Sequence, residues 1–347
     1  MTARNQIVPK ILWAIVGFIV LRMLCSWLLG SHWQLFAQPE VAAYLLDEEK
    51  PVSLQTPAVT TEPTTQPITF PEEPEEDLPP ATQPPEPLVM PEVPDEQYSL
   101  STEDASLIEI NYAAQRKPDI EALLTQPLHW DLTSEEPSVL IFHSHGTEAF
   151  ITSDGYTYEE EGGEYRTTDD SCNMLSLGDE LVRLLEAAGI HAVHDRSYYD
   201  YPDYLASYDN ARIGLQEQLE RYPTVKLVID LHRDSAERSD GTQWATECTV
   251  NGEDSAQIML VVGTDSYYTH PNWEKNFGIA LKLQTIMEKA HDGVTRPLDL
   301  RKQRFNQDLS TGAIIVEVGA AGNTYREAMN GISVLAEAII LMAKGTN

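Results

Sequence analysis

Cysteine is scarce in this chain, with three residues among 347 and no Cys-x-x-Cys pair. That usage argues against a thiolate metal site and against a disulfide-stapled fold. Cys25 falls in an apolar run, which leaves Cys172 and Cys248; they read as two separate thiols, a single bridge between them being the alternative. Basic residues are also few: Lys+Arg 23 against Asp+Glu 55, a formal charge of -32. Such a balance argues against nucleic acid as a partner, and against adsorption to anionic lipid except through the basic N-terminus. Much of the acid lies between Glu72 and Glu96, so the net charge describes that tract more than any folded part. The sequence has no HExxH, nucleophile elbow, P-loop or GxGxxG, and no internal repeat.

A long apolar run occurs near the start. Arg4 and Lys10 precede Ile11 to Leu21, and apolar residues continue past Arg22 to Gly30. About twenty residues is the length a helix needs to cross a bilayer. No small-x-small cleavage site follows, so the run reads as an uncleaved anchor rather than a removed signal peptide. Positive residues ahead of it place the N-terminus inside and the rest outside. From about Lys50 to Glu96 the chain is dominated by Pro, Glu, Thr and Gln. It buries too little apolar surface to offset its conformational entropy and reads as a disordered, extended spacer. The expected organisation is a cytoplasmic N-terminus over 1–10, a transmembrane anchor over 11–30, a juxtamembrane segment and acidic linker over 31–100, and an extracytoplasmic domain over 101–347.

Beyond Gln97, apolar runs of strand length alternate with segments of helical period. Ser176–Ala188 carries Leu177, Leu181, Leu184 and Leu185 on one face and stops at Gly189. Tyr208–Tyr222, Trp273–Ala290 and Thr324–Lys344 read as further helices. Strands are expected at Ser138–Phe142, Ile190–Val193, Val225–Leu231, Ala245–Val250, Ile258–Val262 and Ala313–Val318. The alternation predicts an α/β domain with a largely parallel central sheet.

The candidate site falls at strand ends, where open α/β sheets bind ligands. His145 and Glu148 follow the first strand three residues apart, His232 follows Val225–Leu231, and Glu317 sits inside an otherwise apolar strand. Two histidines and one carboxylate form a zinc ligand set with a position left for water. The remaining carboxylate is then free to act as a general base, which points to a hydrolase. An apolar strand is a costly place for a carboxylate unless it is paired, protonated or functional. Asp169 and Asp170, ahead of a helix, are the alternatives to Glu148 when not simple caps. His143 is read as supporting a ligand or facing the other side of the strand, and His194 with Asp195 as orienting a ligand or substrate. Arg233 is expected to bind a substrate carboxylate and Asp234 to orient an imidazole. Asn306, Gln307 and Asp308 form a polar turn suited to substrate contact, and the Gly319–Asn323 turn is expected to let substrate approach the backbone.

Four segments together carry a family resemblance: His143-Ser144-His145-Gly146-Thr147-Glu148, Asp230-Leu231-His232-Arg233-Asp234, Phe305-Asn306-Gln307-Asp308-Leu309-Ser310 and Glu317-Val318-Gly319. In that order, across about Glu136 to Ala343, they resemble the stage II sporulation protein P family of membrane-anchored cell-wall hydrolases. The resemblance implies an N-acetylmuramoyl-L-alanine amidase with endopeptidase activity on peptide cross-links. It implies a three-layer α/β sandwich with a mostly parallel central sheet, of the zinc amidase (phosphorylase/hydrolase-like) type. His145 and His232 would hold zinc and Glu317 would be the catalytic carboxylate. The third ligand is Glu148 by the His-x-x-Glu spacing of carboxypeptidases, or Asp169 by its place ahead of the first helix. Implied partners are peptidoglycan and stage II sporulation proteins D and M, at the septal membrane during engulfment. A zinc carboxypeptidase and a non-catalytic wall-binding scaffold are the rival readings.

Overall fold

The computed structural model describes residues 99–345, apart from 115, 154 and 236–241. These residues belong to the unit Asp77–Asn347. The expected N-terminus, anchor and nearly all of the expected linker lie outside the described residues. Among the described residues no helix is long and apolar enough to cross a membrane. Leu100 is buried, so the fold begins slightly ahead of the expected boundary at 101.

Seven strands form the main sheet: β1 (Ile110–Asn111), β2 (Val139–Phe142), β3 (Ala192–His194), β4 (Leu227–Asp234), β7 (Ile258–Gly263), β8 (Leu298–Arg301) and β9 (Ala313–Ala320). Their order is β1-β8-β7-β9-β4-β2-β3. All neighbours are parallel except β7 and β9. The expected strand at Ala245–Val250 belongs elsewhere. As β5 (Glu247–Val250) it pairs antiparallel with β6 (Glu253–Ala256) in a separate two-stranded sheet. Asn251 and Gly252 turn that hairpin, both at positive φ, the conformation that Asn-Gly hairpin turns favour.

Side chains alternate across the sheet, and both faces are buried, as parallel sheets require. Val139, Ile141, Leu227, Ile229, Ile258, Leu260, Ile314 and Val316 join the larger core. That core holds α2 (Met174–Ala187), α4 (Trp273–Ala290) and α5 (Tyr325–Ala343), with the short α1 (Ile120–Thr125) packed against α4. Leu140, Phe142, Val228 and Ala313 face the other way, onto Ala211 and Leu215 of α3 (Ser207–Arg221). Helices therefore cover both faces, three long ones on the first and one on the second.

Local chemistry sets the helix ends. Asn173, rather than either aspartate, caps α2 by accepting from the Leu175 amide at 3.0 Å. Gly189, at φ 79, follows the end of α2, and the Ile190 amide returns to the Leu185 carbonyl. Thr324 and Glu327 form a capping box on α5. β4 runs three residues further than the sequence suggests, so His232 lies within the strand. Its pairing with β9 shifts after His232↔Glu317 to Asp234↔Ala320, an extra β9 residue accommodated by Gly319 at φ 68.

Candidate functional site

β2, β4 and β9 are parallel neighbours through β4, so their carboxyl ends open on one edge of the sheet. The register sets Phe142 beside Asp230, and His232 beside Glu317. Alternation puts Asp230, His232 and Glu317 on the face that α3 covers. His145 arrives from the turn after β2, which closes with the Glu148 amide donating to the His145 carbonyl at 3.4 Å. Asp200 fixes that turn, accepting from the Thr147 hydroxyl at 2.6 Å and the Thr147 amide at 3.2 Å.

His145, Glu148 and His232 thereby come together. The two histidine rings lie 5.3 Å apart between centroids. Glu148 Oε2 is 3.4 Å from His232 Nδ1 and accepts from the Arg233 amide at 3.2 Å. On its other side His232 Nε2 donates to Asp230 Oδ1 at 2.7 Å. Asp230 is itself held by the Ser144 amide and hydroxyl, at 2.7 and 2.6 Å. His145 stacks on Tyr204 at 4.4 Å and meets Tyr208 edge-on at 5.4 Å. Its Nδ1 is buried without a hydrogen-bond partner, as is Glu317 Oε2, although Glu317 as a residue keeps some exposed surface.

Electrostatics separate the four groups. Burial drives the His145 imidazole down to about 4, so it is neutral at pH 7. Burial alone would raise Glu148, but Arg233, His232 and His145 outweigh it and hold the carboxyl at about 2. His232 is likewise opposed by burial, yet Asp230 and Glu148 raise it well above the ordinary value of 6.5. Burial lifts Glu317 to about 8, with His232 opposing. Their mutual fields therefore favour the imidazolium form of His232, between two carboxylates, and burial favours the protonated form of Glu317.

Other sequence candidates lie elsewhere. His143 is on the opposite face: its Nδ1 donates to the Leu231 carbonyl at 2.8 Å, and its Nε2 lies 2.7 Å from His194 Nε2. His194 continues to Asp179 at 2.9 Å, so this histidine pair braces α2 against the strands rather than meeting substrate. Asp169 accepts from Ser171 and stays outside the cluster; Asp170 pairs with Arg196. Asp195 accepts from Ser197 and Tyr199 within its own loop. Arg233 does not present itself to a substrate carboxylate. It is buried, its guanidinium donating to the carbonyls of Ala149, Asp234, Glu164 and Tyr165. Asp234 pairs with Arg296 at 2.7 Å; the carboxylate that orients His232 is Asp230 instead. Asn306 donates to the Tyr208 carbonyl and accepts from Arg212, steadying the ring that edges His145. Gly319 and Gly322 serve packing rather than ligand approach: a Cβ would meet Asn323 Oδ1 at 2.7 Å in the first case and the Trp244 backbone at 2.7 Å in the second.

The sequence reading missed Asp230, Ser144, Asp200 and Tyr204. Asp230 carried a signal, being a carboxylate two residues before His232 and therefore on the same strand face. Tyr204 carried none, since only the tertiary fold brings it onto His145.

The family model of stage II sporulation protein P matches residues 52–340. The chain belongs to this family. Stage II sporulation protein P of Bacillus subtilis (strain 168) is 26% identical over 216 residues, 59% of this chain and 51% of that protein, so the match spans about half the relative's length. Among solved structures, the N-acetylmuramoyl-L-alanine amidase AmiC2 of Nostoc punctiforme is 16% identical with a TM-score of 0.36, covering 60% of this chain and 97% of that one. The CwlD amidase of Clostridioides difficile, in complex with the GerS lipoprotein, is 13% identical with a TM-score of 0.34, covering 59% and 95%. Likenesses this distant carry no argument about chemistry.

Proposed function

We propose that the protein is a zinc-dependent peptidoglycan hydrolase of the zinc amidase fold type. It cleaves the amide between N-acetylmuramic acid and L-alanine, and peptide cross-links as well. The observation that carries this reading is the meeting of His145, Glu148 and His232 beside Glu317 at one sheet edge. Among the described residues no group of three His, Cys, Asp or Glu donors stands ready-made to hold a metal ion. The donor chemistry nevertheless suits zinc: two imidazoles and a carboxylate, a buried His145 Nδ1 without a hydrogen bond, its nearest carboxylate being Asp200 at 4.0 Å, and Asp230 behind His232 as the carboxylate support that zinc-bound histidines use. The proton on His232 has to leave before that ring can ligate.

Bound there, zinc would supply Lewis acidity to the scissile carbonyl and the attacking water. Glu317, on the same face as His232, takes the water's proton and passes it to the departing amine. Burial favours the protonated carboxyl at neutral pH, and a cation held by the neighbouring ligands would favour the ionised form that the base needs. Tyr204 and Tyr208 keep the His145 ring fixed and shield it from water. In this reading the segment over 11–30 anchors the protein with its N-terminus cytoplasmic. The catalytic domain acts outside, at the septal and engulfing membrane, in complex with stage II sporulation proteins D and M.

Mass spectrometry of digested peptidoglycan tests the proposal. Stem peptides with new L-alanine N-termini, lost on chelation and restored by zinc, are the expected products. Unchanged peptidoglycan under every metal condition, from folded protein, would refute the enzyme reading and favour a scaffold.

A further inference from the structure

Arg166 is the last layer of a stack that begins at His145. The Tyr204 ring lies on His145 at 4.4 Å with an interplanar angle of 22°, and the Arg166 guanidinium carbon lies 3.8 Å above the other ring system, over Tyr204. The guanidinium thus stands at most about 8 Å from the His145 ring. Its backbone is tied to the same cluster, pairing antiparallel with Glu148. The Thr167 amide donates to Thr147, and the Ala149 amide to Tyr165.

The approach to Arg166 is costly. Glu164 and Tyr165 both adopt left-handed backbone, at φ 61 and 57, a conformation that bulky residues avoid. Buried Arg233 holds them there by donating to both carbonyls, at 2.7 and 3.3 Å. A cation fixed this firmly beside the histidine–carboxylate cluster is placed to meet a ligand. Arg233 is committed to main-chain carbonyls and Arg296 to Asp234. Arg166 instead keeps a buried Nε without a hydrogen-bond partner, and its ion pair is with Glu164, whose side chain is 57% exposed. Only the Glu164 end of that pair is exposed, so its carboxylate can swing away into solvent and leave the guanidinium to another anion.

We propose that Arg166 is a substrate-binding residue that takes a free carboxylate of the stem peptide, displacing Glu164 from the guanidinium. This rests on the peptidoglycan-amidase reading. The distance suits it: the second stem residue is a γ-linked glutamate, and two residues of extended peptide reach ~7 Å from the scissile amide. Its free α-carboxylate then arrives opposite the guanidinium while the amide lies at the histidine cluster. Arginine forms charge-assisted, forked bonds with a carboxylate and loses them to a neutral carboxamide.

The test uses the full chain, loaded with zinc, and two synthetic disaccharide tripeptides differing only at that second residue, free acid against amide. The wild type should favour the free acid by ten-fold or more in kcat/KM, expressed in KM. Arg166→Gln should cost the free acid at least ten-fold more in kcat/KM than it costs the amide, so that the preference disappears, with Arg166→Lys keeping part of it. Glu164→Gln should lower KM for the free acid, a gain that a purely structural role would not produce. Equal loss on both substrates in Arg166→Gln, or no preference in the wild type, would overturn the proposal and leave Arg166 as a brace for Tyr204. A wild type that cleaves neither substrate would instead bring down the amidase reading beneath it.

Discussion

Replacing Glu317 by glutamine should make the metal-free domain more stable while abolishing its activity. The carboxyl titrates near its ordinary value of 4.5 in an unfolded chain and near 8 in the fold, because burial disfavours its charged form. A raised folded value favours the native state at low pH and costs stability as pH climbs from 4.5 towards 8. At pH 7 the unfolded chain has gained about 2.5 pH units of ionisation that the folded one is denied, ~3 kcal/mol at ~1.4 kcal/mol per unit. Glutamine has no ionisation to forgo, so the variant should gain up to that amount at pH 7 and under ~1 kcal/mol at pH 5. Its own amide still needs hydrogen-bond partners beside an oxygen that has none in the native protein, which makes ~3 kcal/mol a ceiling. Guanidinium unfolding of Asp77–Asn347 with chelator, at both pH values, measures the difference. A difference from the native protein of the same size at both pH values would show that Glu317 is not held protonated by burial.

Two further outcomes follow from the geometry. Zinc uptake should expel at least one proton at pH 7, since His232 must surrender the proton that Asp230 and Glu148 stabilise. Calorimetry in buffers of different ionisation enthalpy reads that number, and a value near zero would mean His232 is neutral before binding. Gly178→Ala should destabilise by about 1–3 kcal/mol although alanine is the better helix former, because the new Cβ would lie 2.5 Å from His194 Nε2 and 2.9 Å from His143 Nε2. Thermal unfolding checks it, and a neutral or stabilising effect would show that the histidine pair yields easily.

The parts of this fold legible in the sequence are those whose signal is long or chemically pure. The helical period of Leu177, Leu181, Leu184 and Leu185, and the apolar runs of β2, β7 and the first four residues of β9, reflect surfaces buried by single elements. β1, β8 and α1 escaped because each is six residues or fewer and mixes polar or charged residues with apolar ones, as Leu298-Asp299-Leu300-Arg301 does. At the site, His145, Glu148, His232 and Glu317 were legible as residue types at strand ends. What they touch was not. Arg233 looks on paper like a ligand for anions, yet its neighbours turn four carbonyls towards it. Asp234 and Asp230 flank His232 at equal spacing, and only the bulge after His232 and the reach of Arg296 decide which one orients the ring.

The position of β9 governs when this activity can exist. It is the last strand in chain order among the described residues, yet it occupies the middle of the sheet, between β7 and β4. Until it inserts, the two halves of the sheet have no common partner and Glu317 is absent from beside His232. No amino-terminal fragment of the domain therefore holds a working subset of the site. Folding and competence are then one event rather than two. For a protein whose work would be to cut the wall that contains the cell, topology itself then acts as the interlock.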